Sequence, residues 1–304
     1  MIIGSGEYMF DMNAGWGKLP DGVRYTNSHA VVVDSLDRVY IHNLSKDAVI
    51  VFSPDGQFLN SWGEWMADGA HGMHLSHEPE GEFLYFANNK QGWVKKTTLS
   101  GEIVLELGVP PLRDVYYSPN MYKPSEAAVA PNGDIYVADG YGQHWIHRYN
   151  AQGEWIHSWG GLGSEKGKLK HPHGIRVDTR GLDPTLYVAD RANERFQLFT
   201  LAGEHISFIT KDVNRPSGSY SYLDGAIIVP DLRSRVTLLD RNDDLIIHLG
   251  EDDAWTKEGW PRRPVSEYKP DRFVSPHAAC ANSKGDIFVV EWVPQGRISK
   301  LTKL

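Results

Sequence analysis

The 304-residue sequence contains a single cysteine, Cys280. A lone thiol can form neither an intrachain disulfide nor a cysteine-based zinc site, which fits a reducing compartment. Any bound metal must therefore rest on His, Asp or Glu. No apolar run approaches the roughly 18 residues of a membrane helix, so no membrane span is expected. The opening Met1-Ile2-Ile3-Gly4-Ser5-Gly6-Glu7 lacks the basic and apolar regions of a secretory signal, and a full-length chain of this kind is expected in the cytoplasm. Positive charge is not in excess either. Thirty-one Lys and Arg against 39 Asp and Glu leave a formal net charge of −8, which argues against nucleic acid or an anionic membrane as partner. Helical periodicity is nearly absent. No phosphate-binding glycine loop, Rossmann glycine pattern or pair of glycosidase carboxylates stands out.

What the sequence does contain is a repeat. His173-Gly174-Ile175 through Leu186-Tyr187-Val188-Ala189-Asp190 aligns without a gap on His71-Gly72-Met73 through Leu84-Tyr85-Phe86-Ala87-Asn88. Four shorter copies run from His29 to Tyr40, Ser125 to Tyr136, Ser217 to Ile228 and His277 to Phe288. Three residues beyond the aromatic or aliphatic residue Tyr40, Tyr85, Tyr136, Tyr187, Ile228 or Phe288 stands a polar residue closing an apolar strand: Asn43, Asn88, Asp139, Asp190, Asp231 or Glu291. Each copy then continues through turn residues between alternating runs, as in Val49-Ile50-Val51-Phe52, Ser53-Pro54-Asp55-Gly56 and Gln57 to Trp62-Gly63. That chemistry reads as antiparallel hairpins.

Six copies of four strands, at a period of roughly 45–50 residues, predict an all-β, six-bladed β-propeller occupying residues 1–304 as one domain. The last copy stops at Arg297-Ile298-Ser299-Lys300-Leu301, one strand short, and Tyr8-Met9-Phe10-Asp11 to Trp16-Gly17 resembles the missing outer strand. The N-terminal strand is therefore expected to close the last blade and remove an open sheet edge. Lys211–Ser219 and Glu251–Arg272 fall outside the repeat and are expected to be loops over one face.

The first strand of a propeller blade lines the channel, and its start faces the mouth where ligands bind. That phase is occupied in blade order by His29, His71, Ser125, His173, Ser217 and His277. His71, His173 and His277 come from alternate blades, about 120° apart, and three imidazoles with open positions opposite suit a catalytic divalent ion. Zinc is the first expectation and iron the alternative. His29 adds a fourth imidazole whose role as ligand, substrate contact or filler stays open. His74 and His77 share a helical spacing with His71, but the segment aligns as strand, which assigns them to loop or surface. His171, two residues before His173, reads as a supporting or solvent-facing residue.

The runs Lys123-Pro124-Ser125-Glu126-Ala127-Ala128-Val129-Ala130, Val137-Ala138-Asp139-Gly140-Tyr141, His171-Pro172-His173-Gly174 and Val188-Ala189-Asp190-Arg191, with Pro276-His277 and Gly15-Trp16-Gly17-Lys18-Leu19-Pro20-Asp21-Gly22, resemble an NHL-repeat propeller family. That family is the peptidyl-α-hydroxyglycine α-amidating lyases, and the similarity covers nearly the whole chain. The resemblance implies a catalytic zinc on His71, His173 and His277, a catalytic tyrosine at Tyr141 and an active-site arginine at Arg191. The chain departs from the family where a second arginine would stand, at Asn43-Leu44, and where a calcium-binding aspartate would stand, at Ala278. His29 is likewise foreign to the family pattern.

The expected function is a metal-dependent lyase acting on a small molecule with an α-hydroxy, hemiaminal-like or hemiacetal-like carbon. Tyr141 would be its general base and Arg191 its bidentate carboxylate holder. Two alternatives stay open: a non-enzymatic NHL propeller that binds a protein or ligand on its face, and a four-histidine non-haem iron enzyme. The sequence leaves the oligomeric state undefined.

Overall fold

In the computed structural model, which describes residues 1–304, the chain forms six antiparallel sheets and is a six-bladed β-propeller. The first blade runs, inner to outer, through Ser28–Val33, Val39–Asn43, Val49–Phe52 and Phe58–Trp62. The second comprises Ala70–Glu78, Gly81–Asn88, Trp93–Thr98 and Ile103–Leu107. The third comprises Glu126–Val129, Ile135–Ala138, Trp145–Tyr149 and Trp155–Gly160. In the fourth the strands are Pro172–Asp178, Thr185–Asp190, Arg195–Thr200 and His205–Ile209, and in the fifth Tyr220–Ser221, Ile227–Asp231, Arg235–Leu239 and Leu245–Leu249. The sixth blade contains Pro276–Ala281, Ile287–Glu291 and Arg297–Lys303.

The sixth blade is completed from the other end of the chain. Tyr8–Asn13 pairs antiparallel with Arg297–Lys303, Phe10 opposite Lys303 and Met12 opposite Leu301. A further strand, Ile2–Ser5, pairs with Tyr8–Asn13 and makes this sheet five-stranded, where the repeat predicts four. The extra strand belongs to no repeat, so self-alignment could not reveal it. Its Ile3 is buried with Phe10 and Met12 in a cluster that includes Leu249, Phe273 and Leu301.

Burial follows the strand order. Second strands such as Val39–Asn43 and Ile287–Glu291 are buried throughout, covered on both faces, and read as unbroken apolar runs. Outer strands such as Phe58–Trp62 are largely uncovered. The only helical pieces are 3₁₀ turns of three residues, two of them, Ala254–Thr256 and Val265–Glu267, in the expected loop between the fifth and sixth blades.

Contacts divide the chain into two compact units. One is Asp68–Lys211, which holds the second, third and fourth blades; the other joins Met1–Ala67 to Asp212–Leu304 and holds the first, fifth and sixth.

The polar residue closing each second strand has one structural task. Asp139, Asp190 and Asp231 accept from the backbone N–H of Lys123, Lys170 and Asn214, each at 2.7 Å. Glu291 accepts from Val274 and Ser275, and Asn43 from Thr26. Asn88 instead donates to the Asp68 carbonyl at 2.9 Å. Each side chain thus ties the segment leading into its own blade's inner strand to the end of the second strand. A buried hydrogen bond to a charged acceptor contributes about 1.5–3 kcal/mol, which gives the phase agreement in the sequence its cause.

Candidate metal centre

Within each unit, the residues at the shared start-of-inner-strand phase, here termed marker residues, come against one another. In the unit of blades two to four, His71 Nδ1 lies 2.7 Å from the Ser125 carbonyl. A carbonyl can only accept, so Nδ1 carries the proton and Nε2 presents its lone pair. That Nε2 is 3.0 Å from the Tyr141 hydroxyl and 3.1 Å from His173 Nε2. In the other unit, His277 Nδ1 lies 2.7 Å from the His29 carbonyl, which fixes the same tautomer, and the two rings meet edge-on with centroids 4.7 Å apart. His29, His71, His173 and His277 are all buried.

These residues fit a divalent ion by their donor chemistry. Neutral imidazoles whose Nδ1–H is held by a carbonyl are oriented, basic ligands. Two nitrogens sharing one ion at about 2.0–2.1 Å sit roughly 3.0–3.4 Å apart, and the His71–His173 separation falls in that range.

Tyr141 and Arg191 are placed by the ends of their blades' second strands. The turn after Asp139 is held by Gln143 N donating to the Asp139 carboxylate at 2.6 Å, and Tyr141 N donates to the Lys123 carbonyl at 3.2 Å. Burial raises the Asp139 carboxyl to about 6 against these hydrogen bonds, and the Tyr116 hydroxyl adds another at 2.6 Å. The turn also needs a glycine before Tyr141. A Cβ on Gly140 would stand 2.0 Å from the Pro172 carbonyl oxygen, and one on Gly72, beside His71, would stand 2.5 Å from that of Ser125. Neighbouring blades approach this closely only where no side chain intervenes.

Arg191 follows Asp190 directly, in a 3₁₀ turn over Arg191–Asn193, and is buried. Its Nη2 is 3.4 Å from the Tyr141 hydroxyl, and its Nε is buried without a hydrogen-bond partner in the protein. The guanidinium carbon lies 5.6 Å from the centre of the Tyr141 ring. With no carboxylate against it, this buried cation is arranged for an anion brought by a ligand.

His171, read from the sequence as a supporting or solvent-facing residue, lies against both Tyr141 and Arg191. Its imidazole meets the Tyr141 ring at 4.3 Å, and its Nε2 accepts from Arg191 Nη2 at 2.9 Å. The backbone there has φ of +62°, unusual for a residue other than glycine, which removes His171 from the strand alternation that a two-residue spacing implies. His74 and His77 lie within the strand Ala70–Glu78 and not in a loop. His77 is on the surface, its side chain 67% exposed beside Glu82, while His74 is half-buried, and burial lowers its pKa to about 4.

The chain matches no known family model. It is 30% identical over 205 residues to human NHL repeat-containing protein 3, a match covering 63% of this chain and 56% of that protein. It is 26% identical over 222 residues to peptidyl-glycine alpha-amidating monooxygenase B of Xenopus laevis, covering 67% of this chain and 24% of that one. The chain thus spans about half of the first relative and a quarter of the second. Among solved structures, a streptogramin B lyase superposes with a TM-score of 0.65 at 14% identity, covering 96% of this chain and 97% of that one. A gluconolactonase from Xanthomonas campestris does so with a TM-score of 0.64 at 13% identity, covering 96% and 90%. At such identities the superpositions speak for the fold.

Proposed function

We propose that the chain is a metal-dependent lyase acting on a small substrate with an α-hydroxy, hemiaminal-like or hemiacetal-like carbon. The observation that carries this reading is the Tyr141 hydroxyl, set between Nε2 of His71 at 3.0 Å and Arg191 Nη2 at 3.4 Å. The sequence similarity to an amidating monooxygenase supports it.

His71, His173 and His277 would hold the ion, with His29 a further candidate ligand. A divalent ion there would serve as a Lewis acid toward a substrate oxygen, with zinc or iron both compatible with imidazole ligands. Arg191 binds the substrate carboxylate through its open Nε edge, and His171 holds the guanidinium by accepting from its Nη2. Tyr141 takes the proton of the substrate hydroxyl as general base. As the O–H bond breaks, its electrons form the new C=O, and the bond from that carbon to the leaving nitrogen or oxygen breaks. The leaving atom then recovers a proton from Tyr141. Atoms and electrons balance with no oxidant or reductant.

The test is an assay of the metal-loaded protein with α-hydroxyglycine derivatives and other α-hydroxy compounds, read as release of a carbonyl product such as glyoxylate. Tyr141→Phe is expected to keep fold and metal while lowering kcat at least 100-fold, within the range for loss of a general base. Turnover unaffected by Tyr141→Phe would remove the general-base assignment. Absence of turnover, together with specific capture of a protein on the same face, would replace the enzyme reading with a binding module.

A further inference from the structure

The turn that carries Tyr141 is anchored differently from its counterparts. In the fourth, fifth and sixth blades the carboxylate closing the second strand pairs with an arginine: Asp190 with Arg195 at 2.7 Å, Asp231 with Arg235 at 2.8 Å and Glu291 with Arg297 at 3.2 Å. Each of these arginines opens its blade's third strand, and in the third blade that place is taken by Trp145. Asp139 is fully buried with no cation against it.

Its partner is instead a chain of neutral groups. The Tyr116 hydroxyl, from the segment between the second and third blades, donates to Asp139 at 2.6 Å, and its oxygen lies 2.8 Å from His147 Nε2. A hydroxyl whose one proton goes to the carboxylate can only accept from the ring, so Nε2 carries the proton. His147 Nδ1 then accepts from the Ser158 hydroxyl at 2.7 Å, and the Ser158 oxygen accepts from Trp155 Nε1 at 3.0 Å. Every donor in the chain points the same way, toward Asp139. The carboxylate also holds the turn: Lys123 N and Gln143 N donate to it, and Tyr141 N donates to the Lys123 carbonyl. A Cβ on Gly142 would stand 2.1 Å from a carboxylate oxygen, so the backbone of the turn lies directly against Asp139. The titratable side chains about Asp139 are Tyr116, Tyr122, His147 and Tyr149. Burial keeps the three phenols protonated and lowers His147 to about 3, so from about pH 8 to 5 the carboxylate is the member of this set that changes charge.

We propose that Tyr116 and His147 are positioning residues for Tyr141: they complete the hydrogen bonds of Asp139 and so fix the turn that presents the phenol. The inference rests on the reading of Tyr141 as general base. Neutral donors have a further consequence. An arginine would hold the carboxylate ionised far into acid, whereas hydrogen bonds alone favour the ionised form less strongly. Once protonated, Asp139 no longer accepts from all its donors, and the turn loosens in mild acid.

Rates of metal-loaded wild type and Tyr116→Phe on an α-hydroxyglycine derivative, measured from about pH 5 to 9, test this role. Tyr116→Phe is expected to keep its metal and to lower kcat about tenfold with KM within about twofold. The acid limb of kcat should also move up by about half a pH unit or more, since the lost hydrogen bond favoured the ionised carboxylate. His147→Leu should act in the same direction, and His147→Gln should restore most of the rate. A glutamine stands at this register in the fourth blade, where Gln197 donates to Asp190 at 3.0 Å. Should Tyr116→Phe not fold, the two His147 variants carry the same comparison. Amide exchange adds a readout independent of turnover, and the Gln143 N–H is expected to exchange about tenfold faster in Tyr116→Phe. A wild-type kcat and acid limb in Tyr116→Phe, a loss confined to KM, or a His147→Gln variant as impaired as His147→Leu would overturn the positioning role. Should wild type turn over nothing, the general-base reading falls; Gln143 exchange that responds to Tyr116→Phe then keeps the turn-holding role, and exchange that does not overturns it.

Discussion

Histidine and serine share one position in this repeat because both bond across to a neighbouring blade. His71 and His277 engage the carbonyls of Ser125 and His29, while the Ser125 and Ser217 hydroxyls donate to the carbonyls of Pro172 and His277. The histidines do one thing more, since fixing Nδ1 leaves Nε2 available as a ligand. That double role made the marker phase legible in the sequence. The partner of His171 was not legible, because its contact with Arg191 depends on a positive φ that no spacing rule anticipates. Single residues also set the response to acid. Burial holds His42 near a pKa of about 4 and His147 near about 3, against 6.5 in the unfolded chain. Between pH 6.5 and 4 the unfolded state therefore binds more protons through these groups, so the stability they contribute is full above pH 6.5 and declines as pH falls toward their folded values. Asp139, raised to about 6, acts in the opposite sense and offsets part of the slope. Urea midpoints measured from pH 8 to 4 are expected to fall below pH 6.5, and the fall should be shallower in His42→Gln. An unchanged slope in that variant would remove His42 from the account.

Among the elements, the N-terminal strand carries the most consequence. Tyr8–Asn13 supplies the hydrogen bonds that Arg297–Lys303 would otherwise leave open, and it brings fully buried Phe10 into the core of the fifth and sixth blades. Removing residues 1–13 is expected to yield an aggregating protein, because an unpaired strand edge recruits other strands. Phe10→Ala should cost about 3–5 kcal/mol by urea unfolding, in the range for truncating a buried aromatic residue. A monomeric deletion protein with wild-type stability would contradict the closure. The closing strand could be anticipated because the last repeat ends one strand short, a deficit that simple counting reveals. The added Ile2–Ser5 strand could not, since four residues with one buried side chain carry too little pattern to separate from a tail. The fifth blade shows the same limit from the other side. Its inner strand is only Tyr220–Ser221, although Ser217 keeps the marker phase by bonding to the Pro230 and His277 carbonyls.

For the molecule as a whole, a propeller explains why chemistry can be assembled from residues scattered along the chain. Each blade contributes the start of its inner strand and the turn after its second strand, and these two places supply His29, His71, His173, His277, Tyr141 and Arg191. Fold alone does not choose among the roles that propellers perform, so the account stands on the site. Its central claim is that the marker histidines bind a divalent ion, and metal content measures it most directly. Elemental analysis of purified wild type is expected to give about one zinc or iron per chain, and His71→Ala, His173→Ala and His277→Ala should each lose most of it. His77→Ala, altered on the surface of the same strand as His71, should retain wild-type content. Equal metal content in all four variants, or wild type that binds none when supplied with zinc or iron, would contradict the account.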